Sequence, residues 1–291
     1  MALDLNSYRG RVTITDGACG TELDKRGLPV GSIPELWNLD NPAAVGEVAR
    51  AYVAAGSEVI LTNSLNANPF MLERHELAGR LGEIAETAAA IARQAAGQSV
   101  KVFGSMGSTG KVLMMGEVDE QRVYDGFAAA AKALERGGAD AIVLETMTEL
   151  AEVLLALRAV RENTALPVVA SLTFGSGVDG TATVMGVLPE QVVQQCGPAG
   201  ATVFGANCGV GPEPYIRVAQ RYRQATHAPI WVKANAGLPQ LKNGRNVFPM
   251  GPEAFAATVP ALVAAGANFI GGCCGTSPEH IAAVRRAVDR T

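Results

Sequence analysis

The sequence predicts an α/β protein, a single-domain (β/α)8 TIM barrel over residues 1–291. Three observations predict it. Eight short β-type runs alternate with amphipathic helical stretches along the whole chain. Most runs are continuous apolar blocks, the pattern of strands covered on both faces. Polar residues and cysteines gather where the runs end, the side on which barrels of this kind build their sites.

The elements follow in order. The first run, 12–16, ends in Asp16, and the helical stretch 42–55 comes after it. The second, 59–63, ends in Thr62 and Asn63 and precedes a helix over 78–96. The third, 101–105, ends in Ser105, with a helix over 120–136. The fourth, 141–145, ends in Glu145 and leads to a helix over 149–161. The fifth, 167–174, and the helix 189–196 precede the sixth run, 202–207, where Asn207 and Cys208 stand at the end. A helix over 214–223 then leads to the seventh run, 230–234, followed by Asn235 and a helix over 252–265. The eighth, 268–272, ends at Cys273 and Cys274 before a helix over 278–290. Four of the helix-to-strand turns carry Ala-Ala-Gly, Gly-Gly-Ala or Ala-Gly-Ala, and glycine there accepts the left-handed conformation that closes a helix. An open doubly wound sheet is the competing fold, but its glycine-rich dinucleotide fingerprint is missing after the first strand.

Composition narrows the function classes. The net charge is −4 and no basic run occurs, so nucleic acid is not an expected partner. Residues 1–11 are polar and carry no apolar signal core, and no segment is apolar and long enough to span a bilayer. Five cysteines, an odd number, argue against a disulfide framework and for a reducing compartment, so a cytoplasmic protein without membrane contact is expected. Barrels often assemble through their outer helices. No decisive apolar stripe marks such an interface, so a homo-oligomer stays open.

Cys208, Cys273 and Cys274 are the most informative residues. Strands six and eight are near neighbours on the rim, so three thiolates can meet there. With no fourth ligand nearby, they suggest a Zn2+ site with one open position. Neighbouring strand residues normally point to opposite faces, and Gly271, Gly272 and Gly275 permit the bend that lets Cys273 and Cys274 grip one ion. Zinc with three thiolates carries a net charge of about −1 and is a mild Lewis acid, suited to activating a substrate thiol. The bland alternatives are a buried core residue for Cys208, and a vicinal disulfide or glycine turn for the pair. His75, His227 and His280 are badly placed to be ligands and read as packing or surface residues. Cys19 lies on the same rim and Cys196 closes a helix; both read as bystanders in the packing.

These residues carry a resemblance. Asp-Gly-Ala-Cys-Gly-Thr at 16–21, Pro-Glu-Leu at 34–36, Thr-Asn at 62–63, Glu-Thr-Met at 145–147, Gly-Ala-Asn-Cys at 205–208, Asn-Ala-Gly-Leu-Pro at 235–239 and Gly-Gly-Cys-Cys-Gly-Thr at 271–276 together resemble the zinc-dependent homocysteine S-methyltransferase family. That family includes betaine–homocysteine methyltransferase and the homocysteine-binding module of cobalamin-dependent methionine synthase. The resemblance covers essentially the whole chain. It implies zinc held by Cys208, Cys273 and Cys274, and Asp16 and Glu145 on the ammonium of homocysteine. It further implies backbone amides near Ser105 on the substrate carboxylate. Asn235 either fills zinc's fourth position before substrate arrives or only steadies its loop. Cys19 departs from the methionine or glycine common at its position.

The resemblance implies a methyltransferase of methionine biosynthesis, moving a methyl group to homocysteine sulfur. Betaine and sulfonium donors carry a cation suited to an aromatic cage, yet the rim offers few aromatics beyond Trp37 and Phe70, which read as loop packing. Thr-Asn-Ser-Leu-Asn-Ala-Asn at 62–68 looks more like the methionine synthase module. The expected donor is therefore a methyl-corrinoid (methylcobalamin) on a separate protein. The alternatives are betaine, S-methylmethionine or S-adenosylmethionine, or a zinc-thiol subunit that only presents substrate to a partner.

Overall fold

The computed structural model describes residues 3–116, 118–242 and 245–290. The strands are β1 (Thr13–Ile14), β2 (Val59–Leu61), β3 (Lys101–Gly107), β4 (Ala141–Met147), β5 (Val168–Leu172), β6 (Ala201–Cys208), β7 (Ile230–Ala234), β8 (Gln240–Lys242), β9 (Arg245–Val247) and β10 (Phe269–Gly272). Eight of them form one parallel sheet in the order β1-β10-β7-β6-β5-β4-β3-β2. A parallel bridge between Thr15 and Val59 joins the two ends, so the sheet closes into a barrel. The other two, β8 and β9, make a small antiparallel hairpin on the loop after β7.

The period of two along each strand sorts side chains between the barrel interior and the helix layer. The lower interior is a dry layer of Val59, Phe103, Val143, Val169, Val203, Trp231 and Phe269. A 3-10 turn, Leu5–Tyr8, places Leu5 and Tyr8 against this layer. Trp231 and Phe269 rings lie 5.3 Å apart, and Tyr8 stands 4.9 Å from Phe269. Room for Trp231 comes from Gly205, where a side chain would meet the Trp231 backbone oxygen at 2.1 Å. Two residues further along the strands the interior turns polar: Ser105, Glu145, Ser171 and Lys233, with Asn207 one step beyond Gly205. The outward residues, such as Val102, Ile142, Ala170 and Phe204, join the larger core under the helices.

The helices match the alternation with local departures. Residues 252–265 form two pieces, Pro252–Ala256 and Val259–Ala264, because Pro260 lacks an N–H and disfavours helix at the residue before it. The helix expected at 78–96 opens as a 3-10 turn, Ala78–Arg80, before Leu81–Ala96. The one expected at 214–223 is longer, Pro212–Ala225, with proline in its first turn, where a missing N–H costs nothing. The fifth strand stops at Leu172. Short helices Gly20–Lys25, Trp37–Asp40 and Pro69–Glu73 and the hairpin have no counterpart among the sequence expectations. No helix of the described residues is long and apolar enough to cross a membrane.

Candidate metal and thiol site

The C-terminal ends of the strands gather the expected residues at one place. Cys208 Sγ lies 3.9 Å from Cys274 Sγ, and Cys273 Sγ lies 4.0 Å from Cys274 Sγ. All three sulfurs fall within 4.8 Å of one another. Sulfurs tetrahedrally bound to zinc at ~2.3 Å stand roughly 3.8 Å apart, so this triangle fits such an ion with little movement. The cysteines are free, which removes the vicinal disulfide.

Local backbone explains how the cysteines converge. Cys208 ends β6 with φ 65, a left-handed conformation that a cysteine rarely adopts. It is held there by Tyr215, whose hydroxyl donates to the Asn207 and Cys208 carbonyls at 2.9 and 3.0 Å. At β10 the chain runs hard against β1: a side chain at Gly271 would strike Thr15 Oγ1 at 2.0 Å, and one at Gly272 would strike Thr276 Oγ1 at 2.3 Å. Thr276 Oγ1 donates to the Cys273 carbonyl at 2.7 Å and accepts from the Ala18 N–H at 3.2 Å, tying the cysteine turn to the loop after β1. Without a metal the thiols share protons. Hydrogen bonds from Cys273 and Cys274 hold the Cys208 thiol down to about 3, and the same bond pushes Cys273 up to about 12, with Cys274 also raised.

Asn235 follows β7. Its Nδ2 donates to the Gly209 carbonyl at 2.9 Å, while its Oδ1 is buried with no hydrogen-bond partner. A buried orphan acceptor is costly and calls for a partner such as a cation. The set of three sulfurs and one spare amide oxygen therefore fits zinc.

Beside the cysteines lies a cavity of about 290 Å³, lined in part by Asp16, Ser105, Glu145, Lys233, Cys273 and Cys274. Ser105 Oγ donates to Glu145 Oε1 at 2.5 Å. The Ser105 amide, expected near a substrate carboxylate, donates instead to Thr62 Oγ1 at 2.9 Å. Burial pushes the Glu145 carboxyl up to about 7, against the opposing pull of Lys233. Asp16 accepts from the Leu61 N–H at 2.7 Å and forms an ion pair with Lys233. The sequence did not single out Lys233. Its signal was there: a lysine two residues after Trp231, inside a run that reads as buried on both faces, must find a counter-charge. Burial alone would lower the Lys233 pKa, but Asp16 and Glu145 more than offset this and the net shift is upward.

A second unread feature is the Asn207 side chain. Its Oδ1 accepts from the Ser171 hydroxyl at 2.7 Å and the Thr146 N–H at 2.8 Å, and its Nδ2 donates to Thr146 Oγ1 at 2.8 Å. It thus stitches β4, β5 and β6 together. Thr146, directly after Glu145, has φ 60, so this clamp sustains a strained residue beside each of Glu145 and the metal-type cysteines.

The remaining candidates are packing residues. Cys196 is fully buried. Cys19 lines the cavity but stands outside the sulfur triangle, and burial raises its thiol pKa. Phe70 is buried and stacks under Arg122, and Trp37 packs on the core. His280 caps its own helix through Ser277 and meets the Met250 carbonyl at 2.9 Å.

Residues 13–288 match the homocysteine S-methyltransferase family. Methionine synthase of Mycobacterium tuberculosis is 32% identical over 96% of the chain, and that of Mycobacterium leprae 30% over 98%. The chain spans about a quarter of the length of these curated relatives, 25% in each case. The metallated form of homocysteine methyltransferase MmuM from Escherichia coli superposes with a TM-score of 0.78, covering 96% of both chains at 24% identity, a likeness of fold.

Proposed function

This chain belongs to the homocysteine S-methyltransferase family, and we propose that it moves a methyl group to the sulfur of homocysteine, giving methionine, on a zinc ion held by Cys208, Cys273 and Cys274. The sulfur triangle, at the spacing zinc requires, is the observation that carries this reading. Asn235 Oδ1, buried and unpartnered, would be available to such an ion as a further ligand. When bound, zinc lowers the pKa of the acceptor thiol and leaves its sulfur nucleophilic.

The protein's own residues place the acceptor. Glu145, oriented by Ser105, accepts the α-ammonium group, and Asp16 bounds the same cavity. The walls of that cavity fix the acceptor next to the cysteines, so that sulfur and methyl carbon meet in line. The barrel acts as one homocysteine-binding domain. Its five free thiols suit a reducing compartment such as the cytoplasm.

The donor we propose is a methyl-corrinoid on a separate protein. Two observations favour it. Among the described residues no aromatic side chain lines the cavity, so a quaternary ammonium or sulfonium donor would find no cage in them. The loops on the strand-end face also expose large apolar side chains, among them Val30, Met114, Met115, Val178, Leu238 and Leu241, as a face that receives a macromolecule would. The test is methionine formation from homocysteine by the zinc-loaded protein with free methylcobalamin. Turnover is expected. No turnover, with zinc and homocysteine bound, would transfer the assignment to betaine or sulfonium donors, or to a zinc-thiol subunit that needs its partner.

A further inference from the structure

Among the described residues one ammonium of the protein lines the cavity, Lys233, and it shares the strand-end floor with the carboxylates of Asp16 and Glu145, while Asp24 and Glu35 line the cavity from the segment between β1 and β2. Lys233 is 2% exposed and Asp16 5%. Both Asp16 oxygens are committed, Oδ1 to Lys233 Nζ and Oδ2 to the Leu61 N–H at 2.7 Å. Glu145 has one hydrogen-bond donor among the described residues, Ser105. A substrate ammonium arriving at Asp16 would have to sit beside the Lys233 ammonium, and like charges this close repel in a buried site. Of the two strand-end carboxylates beside Lys233, recognition of an α-amino group therefore falls to Glu145.

We propose that Lys233 is a specificity-determining residue: its ammonium takes, at Asp16, the place an acceptor's α-ammonium would take, so the site accepts thiols that lack the amino group alongside homocysteine. The substrate class is short ω-thiol carboxylates, of which 4-mercaptobutanoate, homocysteine without its amino group, is the plain member. This rests on the proposed function, because it assumes that the acceptor thiol reaches the metal.

The experiment reads binding and needs no methyl donor. Cobalt-loaded protein is titrated with homocysteine and with 4-mercaptobutanoate, following the thiolate-to-cobalt absorption. In the unaltered protein the two dissociation constants should agree within about tenfold. Lys233→Met should free Asp16 and raise the preference for homocysteine at least tenfold. The double variant Asp16→Asn with Lys233→Met removes both members of the ion pair together, so neither is left buried without the other, and should restore the original ratio within about threefold; it stands as the test if the single variant does not fold. A hundredfold preference for homocysteine in the unaltered protein would overturn the proposal. So would an unchanged ratio in Lys233→Met, or a tenfold fall in that ratio in the double variant. If neither thiol perturbs the cobalt spectrum, the thiol-site reading itself falls and takes the proposal with it. If both do and only the ratios disagree, the proposal alone falls.

Discussion

Replacing Glu145 by glutamine should make the protein more stable and bind homocysteine less well. Glu145 is buried, and its carboxyl is displaced from an ordinary 4.5 to about 7. A carboxyl raised in the folded state holds its proton more tightly there than in the unfolded chain. Stability is then greatest below the unfolded pKa and falls as pH rises towards the folded one. At ~1.4 kcal/mol per pH unit, ionising Glu145 in the fold costs roughly 3 kcal/mol above pH 7, with the attraction of Lys233 already included. Glutamine has the same shape, and its carbonyl can still accept from Ser105. Urea unfolding of the zinc-loaded proteins at pH 8 and pH 4.5 is the assay. Glu145→Gln should exceed the unaltered protein by about 2–3 kcal/mol at pH 8, and the gap should close towards pH 4.5. Homocysteine affinity should drop about three- to tenfold at pH 8, since the ammonium loses its anion. A variant less stable than the parent at pH 8 would refute the burial argument, and unchanged affinity would refute the role.

Three further outcomes follow from other parts of the structure. Cys208→Ser should take the zinc content from one per chain to near zero; full zinc occupancy would remove Cys208 from the ligand set. Trp231→Ala should cost about 3–5 kcal/mol, because it empties the middle of the lower barrel layer, and a melting temperature within a few degrees of the parent would contradict that packing role. Glu149 accepts from the Leu113 and Met114 N–H groups, both at 2.9 Å, and so holds the loop after β3. Glu149→Ala should speed tryptic cleavage at Lys111 about tenfold or more with little change in global unfolding.

Much of this was legible in the sequence because barrel strands are buried on both faces and announce themselves as apolar blocks. Their ends then mark the rim without any knowledge of pairing. Cys208, Cys273 and Cys274 could be brought together from strand order alone. What escaped depends on which way a side chain points. Lys233 was hidden because a lysine near a strand end reads as one reaching for solvent, whereas the parity set by Trp231 turns it inward to Asp16. The Asn207 clamp was hidden for a related reason: it spans three strands, and its partners Ser171 and Thr146 are far away in sequence. The hairpin of β8 and β9 and the short helices near the rim lack the length that periodicity needs.

The most direct measurement is zinc K-edge absorption on the loaded protein, before and after homocysteine. Three sulfurs and one oxygen or nitrogen around zinc, becoming four sulfurs with homocysteine, is the predicted result. Fewer than three sulfurs, or a first shell that homocysteine leaves unchanged, would contradict a metal site built to receive a thiol.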